Sequence, residues 1–511
     1  MSASDLVAKL TALLGSEVVR SDAVSLQAYS RDATPMFEGL PEVIVAPRNT
    51  AEVSKIVKFA HDTKTPIIAR GAGSNLCAAT VPLNGGIVMS MTNMNKVLEV
   101  SKSEMIAIVQ PGVTNLDLDQ LVEKEGLRFI PDPGSRNVST IGGNVATSAG
   151  GLRGLKYGTT RNYILGLEAV LGTGEIIRTG GRLVKDVAGY DVTRLLVGSE
   201  GTLAVFTEIT VALAPRPAAS NYGVAYFEDL AAAAGAVEKI ITAGILPATL
   251  EFLDNTCLVA VEDFAHLGLD TKAGALLLFG DDGDAISIEQ TVSSMSEIAK
   301  SSAGCRGVTL AADVAAAEAL LYARRCSLPA LARLSSLSIL EDIAVPRKAM
   351  AEVVNRIGDI GKKHGLRIGT FGHAGDGNLH PTIVLDKDDP REVAAADAKF
   401  GPIFAAYAAR SIEDLATDSE ALKVGQRLFI QNCAQCHGSD ARGQRGFPNL
   451  TDDDWLYGGS PEKITETLIN GRKAMMPAQL VAHGEDGIEE LVAYVLSLSN
   501  RSDLKQTMVD A

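Results

Sequence analysis

Cysteine and histidine are scarce in this chain, six and seven among 511 residues. Four of the cysteines, Cys77, Cys257, Cys305 and Cys326, are scattered without metal spacing, which excludes a disulfide frame and leaves them as buried or free thiols. Positive charge is also short: 47 Lys and Arg stand against 62 Asp and Glu, so nucleic acid and anionic membrane are not expected partners. No apolar run reaches the length of a membrane span, and Met1-Ser2-Ala3-Ser4-Asp5 lacks the basic start and apolar core of a signal peptide. What is plentiful is apolar mass, 46% of the residues, enough over this length for about three domains with large cores.

The two remaining cysteines carry the most specific signal. Cys433-Ala434-Gln435-Cys436-His437 is the attachment signature of a c-type haem: two thiolates three positions apart can form thioethers to both porphyrin vinyl groups, and His437 can reach the iron. At these residue frequencies an accidental match has odds of about one in a thousand. A zinc knuckle is the alternative, and only His483 is available downstream as its fourth ligand. For the second axial position Met476 is expected, with Met475 as the alternative and simple packing open to either. A thioether opposite imidazole raises the reduction potential, so such a haem accepts electrons readily from a reduced organic cofactor. Ala421, Val424, Leu428 and Phe429 space as one helix face before the motif, and Ile488, Leu491, Val492 and Val495 do so after it.

The segment from about Ser419 to Ser499 resembles class I cytochromes c, most nearly the c-type haem domains of bacterial terminal oxidases. The likeness rests on Asn432 to Gly438, Pro448-Asn449-Leu450-Thr451, Trp455-Leu456-Tyr457-Gly458-Gly459, Gly471-Arg472 and Met476-Pro477-Ala478, with Gly425, Phe429 and Tyr494 where the first and last helices cross. It implies a small all-α domain over 419–502, with haem c held covalently by Cys433 and Cys436 and its iron by His437 and Met476.

Nearer the N-terminus, Glu42 to Ala46 is expected as a strand, Thr50 as the cap of a helix with Val53, Ile56, Val57 and Ala60 on one face, and Pro66 to Ala69 as a second strand. That strand runs into Arg70-Gly71-Ala72-Gly73-Ser74-Asn75, where bare backbone N–H groups can approach a pyrophosphate, although a lone glycine loop is equally an ordinary turn. A second glycine cluster follows in Pro131-Asp132-Pro133-Gly134, Ile141-Gly142-Gly143-Asn144 and Ala149-Gly150-Gly151, which suits backbone passing close to a flat ring system. Two such clusters point to a cofactor groove.

Residues 25 to 410 resemble the flavoprotein family of vanillyl-alcohol oxidase and para-cresol methylhydroxylase, in the branch of the glycolate oxidase catalytic subunit, D-lactate dehydrogenase and D-2-hydroxyglutarate dehydrogenase. The motifs are Arg70 to Ser74, Val109-Gln110-Pro111-Gly112-Val113, Pro131-Asp132-Pro133, Ser139 to Asn144, Lys156-Tyr157-Gly158, Gly189-Tyr190-Asp191 and Gly198 to Leu203. The resemblance implies an α+β chain: a helical lead-in over 1–37, a two-subdomain FAD-binding fold over 38–216, an α/β substrate cap over 217–410, a linker over 411–418, the haem domain and a tail over 503–511. It places FAD on Arg70, Gly71, Ala72, Gly73, Ser74 and Asn75, on Pro131, Asp132, Ser139, Gly142, Gly143 and Asn144, and on Ser148, Gly150, Gly151, Tyr157, Glu200 and Gly201. Relatives that bond the flavin through the first loop carry histidine there; Ser74 implies FAD held without a covalent bond.

Past Pro215-Arg216-Pro217, read as a boundary, alanine-rich helices such as Leu230 to Ala243 alternate with strands such as Ala275 to Phe279. Arg324 falls where a cap arginine of relatives pairs with the substrate carboxylate, a role that suits a guanidinium fork, although an arginine on an apolar helix is equally a surface residue. In Phe371-Gly372-His373-Ala374-Gly375-Asp376-Gly377-Asn378-Leu379-His380, two histidines across a turn can converge on a divalent ion, zinc or another, that holds the substrate; Asn378 joins this catalytic set. The family's third ligand, a glutamate in a later Gly-Glu-His-Gly motif, and the histidine beside it that accepts the proton are absent, as is the last segment that returns to the flavin domain. Glu413 and Glu420 are candidate replacements.

These features imply a flavocytochrome dehydrogenase oxidising a small 2-hydroxy acid, glycolate or D-lactate, with electrons passing through haem to an external acceptor such as a cytochrome or quinone-linked chain. The alternative is a catalytically degenerate electron-transfer subunit served by glycolate-oxidase-type partner subunits. Location stays open, since the missing signal points to the cytoplasm and haem c attachment to the periplasmic side.

Overall fold

Runs of β-branched residues set the first sheet. Val43–Val45, Ile87–Ser90 and Ile67–Arg70 pair in parallel, with Val19–Arg20 added antiparallel at the edge. The first two are buried at every position, as strands covered on both faces must be. The computed structural model to which these strands belong describes residues 1–385 except 35, 36, 335, 336 and 365, and beyond them 416, 422, 425, 426, 429, 441, 442, 450, 451 and 460–470. Helix Ala3–Leu14 turns Leu6, Leu10 and Leu14 onto the sheet, and helix Thr50–Thr63 adds Val53, Ile56, Val57 and Ala60, the face expected from their spacing. Its cap differs from expectation. Asn49 is extended and accepts from Glu52 N at 3.0 Å, whereas Thr50 donates to Glu168 at 2.6 Å, so the residue before Thr50 satisfies the helix end.

The second sheet is antiparallel, in the order Val97–Ser101, Ile106–Val109, Ala204–Ala212, Ile164–Leu171, Ile176–Gly180. Helices Asn115–Glu123 and Ile141–Thr147 close its core through Leu118, Val122, Ile141 and Val145. The third sheet runs Cys305–Leu310, Ala219–Phe227, Ala275–Gly283, Thr249–Asp254, Arg367–His373, Asn378–Leu385, Leu337–Leu340, with Ile343–Ala344 also on the Asn378–Leu385 strand. All its pairings are antiparallel. Because side chains alternate along a strand, Leu276 and Leu278 join one core while Leu277 and Phe279 join the other. Helices Asn255–Ala265, Val314–Arg325 and Ser327–Ala332 cover the first face, and Leu230–Thr242, Ala285–Lys300 and Met350–His364 the second.

A polar seam joins the third sheet to the preceding half. Arg128 Nη1 meets Asp282 Oδ2 at 2.7 Å with both side chains nearly free of solvent. Lys156 Nζ reaches Asp281 Oδ1 at 2.7 Å, and the Tyr157 hydroxyl donates to Asp282 at 2.5 Å. Asp132 forms ion pairs with Arg153 at 3.2 Å and with Arg325, from the cap, at 3.5 Å. Of the haem segment, Gln426 is buried against the N-terminal region. Its amide oxygen accepts from Gln27 Nε2 at 2.8 Å and Ser30 Oγ at 3.3 Å, and its Nε2 donates to the Gln27 carbonyl. Cys77, Cys257, Cys305 and Cys326 are free thiols, two of them buried. Among the described residues no helix is long and apolar enough to cross a membrane.

Candidate active site

A groove of about 900 Å3, counting its open mouth, runs between the first two sheets. Main chain shapes it. A Cβ on Gly71 would stand 2.2 Å from Thr140 Oγ1, and one on Gly142 2.5 Å from Pro111 Cβ, so the walls approach this closely only as glycine. Gly73, at φ 69°, turns the first loop, and its carbonyl accepts from Ala33 N at 3.0 Å. Arg70 supports the loop from behind. It is 1% exposed, donates to the Arg31 carbonyl at 2.6 Å and lies over the Tyr29 ring. Two groove-lining groups, Ser139 Oγ and Asn144 Nδ2, are buried with no hydrogen-bond partner among the described residues. An unpartnered buried polar group costs about 1–3 kcal/mol, so this wall fits a ligand that brings polar atoms to it.

The cap contributes a second cluster, set by strand register. Phe252 and Leu253 pair with Gly372 and Phe371, which puts Glu251 across from His373; the hairpin pairs Phe371 with His380 and His373 with Asn378. Directly opposed residues share a face, so Glu251, Phe371, His373, Asn378 and His380 point the same way. Glu251, 1% exposed, holds His373 Nδ1 at 2.7 Å with one oxygen. Its other oxygen stands 2.7 Å from Arg324 Nε. That N–H is turned off the line between them, so both atoms lack a hydrogen-bond partner. Arg324 comes from the last turn of Val314–Arg325, is 6% exposed and stacks over Phe371 at 4.8 Å. The imidazoles of His373 and His380 meet edge to face at 5.2 Å.

Electrostatics separates the two histidines. Burial alone would lower the pKa of His373, but the Glu251 carboxylate outweighs it and the net shift is upward. His380 is pushed well below the ordinary imidazole value, first by burial and then by His373 and Arg324, and stays neutral. Asp376 in the intervening turn is raised, chiefly by burial. Asn378 Nδ2 donates to Asp342 at 2.5 Å and to the Ile343 carbonyl at 3.2 Å, tying the hairpin to the next strand.

Twelve of the residues expected at FAD line the groove: Arg70 to Asn75, Ser139, Gly142, Gly143, Asn144, Glu200 and Gly201. The others lie beside it. Asp132 and Tyr157 belong to the seam, the Pro131 carbonyl accepts from Asn115 at 2.9 Å, and Ser148 shares a 3.3 Å hydrogen bond with Thr159. A Cβ on Gly151 would meet the Asp132 carbonyl at 2.2 Å, and one on Gly150 would touch Thr159 at 3.7 Å. This same stretch connects the two clusters. Ala149 lines the groove, while Gly375 and Asp376 of the cap turn pack on Leu155 and Gly154. Thr80, Ser135 and Phe206 also line the groove and were not read from the sequence, and Pro111 and Thr140, read there only as motif positions, line it too. Nor was Glu251, although a carboxylate inside Leu250-Glu251-Phe252-Leu253 is a detectable break in an apolar strand. Cys433, Cys436, His437, Met475, Met476, His483, Glu413 and Glu420 lie outside the described residues.

Comparison with known proteins agrees with this architecture. Residues 41–180 match the family model "FAD binding domain", 216–411 "FAD linked oxidases, C-terminal domain", and 420–495 "Cytochrome C oxidase, cbb3-type, subunit III". The chain is 46% identical over 408 residues to glycolate oxidase subunit GlcD of Bacillus subtilis, covering 79% of this chain and 86% of that one. It is 37% identical over 360 residues to a D-lactate dehydrogenase of Archaeoglobus fulgidus, covering 69% and 78%. The solved structure of p-cresol methylhydroxylase with substrate bound shares the fold, with a TM-score of 0.61 at 16% identity over 86% of this chain and 96% of that one. The groove, the cap and these matches together show that the chain belongs to the FAD-linked oxidase family, with a cytochrome c-type domain at its C-terminus.

Proposed function

We propose that the protein oxidises a small 2-hydroxy acid, glycolate or D-lactate, at FAD, and passes the electrons singly to haem c and then to an external acceptor such as a cytochrome or a quinone-linked chain. The observation that carries this reading is the cap cluster, in which a buried guanidinium meets a sheet face carrying two imidazoles, and whose turn packs on Gly154 and Leu155, a few residues beyond the groove-lining Ala149. FAD, when bound, supplies a two-electron acceptor that can release its electrons one at a time. Ser139, Asn144 and the glycine loops would hold it, without a covalent bond since Ser74 occupies the first loop. Arg324 keeps both Nη groups free of hydrogen bonds to described residues, so it can take a carboxylate as a fork. His373 Nε2 and His380 can hold the hydroxyl, directly or through a divalent ion, with Asn378 fixing the hairpin between them.

The proposed division is a lead-in over 1–37, the flavin unit over 38–216, the cap over 217–410, a linker over 411–418, the haem domain over 419–502 and a tail over 503–511. Cys433 and Cys436 would carry the haem, with His437 and Met476 on its iron. Haem c loading would put the protein on the periplasmic side.

Anaerobic addition of glycolate or D-lactate to the purified protein tests the reading: the flavin absorbance bleaches and the reduced haem band rises behind it. One observation favours a second reading, an electron-transfer subunit dependent on glycolate-oxidase-type partners: among the described residues no three groups are placed to hold a metal ion. That reading takes over if neither acid bleaches the flavin while dithionite still reduces the haem.

A further inference from the structure

We infer that Glu251 is the positioning residue of the cap: it fixes the tautomer and direction of His373, so that in the neutral ring Nε2 presents a lone pair to the site. The inference deepens the proposed function and concerns a residue that no motif of the sequence singled out. Its basis is geometry. Register places Glu251 across from His373, and the 2.7 Å contact uses Nδ1. A carboxylate only accepts hydrogen bonds, so the ring proton of the neutral imidazole sits on Nδ1 and the lone pair on Nε2. This is how a carboxylate behind a histidine prepares it to bind a cation or a hydroxyl proton.

Glu251 is itself held. Arg324 stands at its second oxygen and Phe371 stacks on that guanidinium, so the carboxylate cannot rotate away without separating a buried charge pair. Arg324 thereby has two tasks, anchoring Glu251 through Nε and leaving its Nη groups to the substrate. The arrangement also predicts what a neutral isostere does. In Glu251→Gln the amide oxygen is drawn to the guanidinium and the NH2 turns to His373, where it donates to Nδ1. The ring proton then moves to Nε2, and His373 faces the site with a donor instead of a lone pair.

The test uses the full flavin-loaded chain labelled with 15N-histidine, at alkaline pH so that the rings are neutral, with His373→Gln to assign the signal. The wild type is expected to show Nδ1–H at His373, and Glu251→Gln the inverted tautomer. Zn2+ affinity, read by competition with a chromophoric chelator, is expected to fall by about 10- to 100-fold in the variant. A carboxylate that merely stabilises the fold would leave the tautomer unmoved. Nε2–H in the wild type overturns the inference, and so does a Glu251→Gln protein with unchanged ring signals and Zn2+ affinity. If that variant does not fold, the wild-type ring signals alone decide. Nδ1–H in a wild type that binds no Zn2+ supports Glu251 as the positioning residue and removes the ion, not Glu251, from the proposed function.

Discussion

The groove and the cap cluster solve the same problem, holding polar groups where a ligand needs them, in opposite ways. At the groove the main chain does the shaping. Gly71 and Gly142 sit where a Cβ would collide with Thr140 and Pro111, and the loop carbonyl of Gly73 is tied to Ala33. At the cap, side chains from three elements far apart in the chain, Glu251, Arg324 and His373, hold one another by charge and hydrogen bonding. The groove is therefore sensitive to added volume and tolerant of changed polarity at its rim, whereas the cap is sensitive to a single lost charge.

The largest effect is expected at the cap. Arg324→Met leaves Glu251 buried without its cation and should destabilise the fold by about 3–5 kcal/mol in urea unfolding. Arg324→Lys, which keeps the charge but not the fork, should fold and lose turnover mainly through a raised KM. Next is the pH dependence of the same sheet. Asp254 caps helix Asn255–Ala265 by accepting from Cys257 N and also accepts from Thr370 N of the neighbouring strand, and burial raises its pKa to about 6 from 3.8. A carboxyl raised in the folded state contributes stability below its unfolded value and loses it as pH rises through the folded one. Against Asp254→Asn, the wild type should lose no more than about 3 kcal/mol between roughly pH 4 and pH 7, read by paired denaturation curves. The groove comes third: Gly142→Ala adds one methyl against Pro111 and should weaken flavin retention by about 10- to 100-fold, the 1–3 kcal/mol of overpacking, measured by absorbance after gel filtration. The smallest change is Cys77→Ser, an exposed thiol outside the groove lining, which should leave flavin binding within about 0.5 kcal/mol of the wild type. A large loss there would erase the contrast between the two regions.

Legibility followed the same division. The groove loops were readable because glycine clusters after a strand act locally, and Arg70 to Asn75 with Ser139 to Asn144 do line one cavity. Asp132 and Tyr157 sit in neighbouring motifs, yet they are engaged by Arg153, Arg325 and Asp282 in the seam, a commitment that depends on partners from the cap. Arg324 and the two histidines were readable as residue types, but their convergence was not, since it depends on how the Thr249–Asp254 strand registers with Arg367–His373. Glu251 shows the limit most clearly. It and His373 are 122 positions apart, and neither residue's neighbours in sequence name the other.

By itself the sequence determined the features that need only short-range covalent order: the paired cysteines with their histidine, the glycine loops, and the apolar spacing of the helices and strands. Tertiary structure alone decided which carboxylate faces which imidazole and which guanidinium is held. Chain connectivity sets local backbone chemistry directly. Contacts between distant charges exist only once strand register and domain packing have brought them within hydrogen-bonding distance in a buried setting.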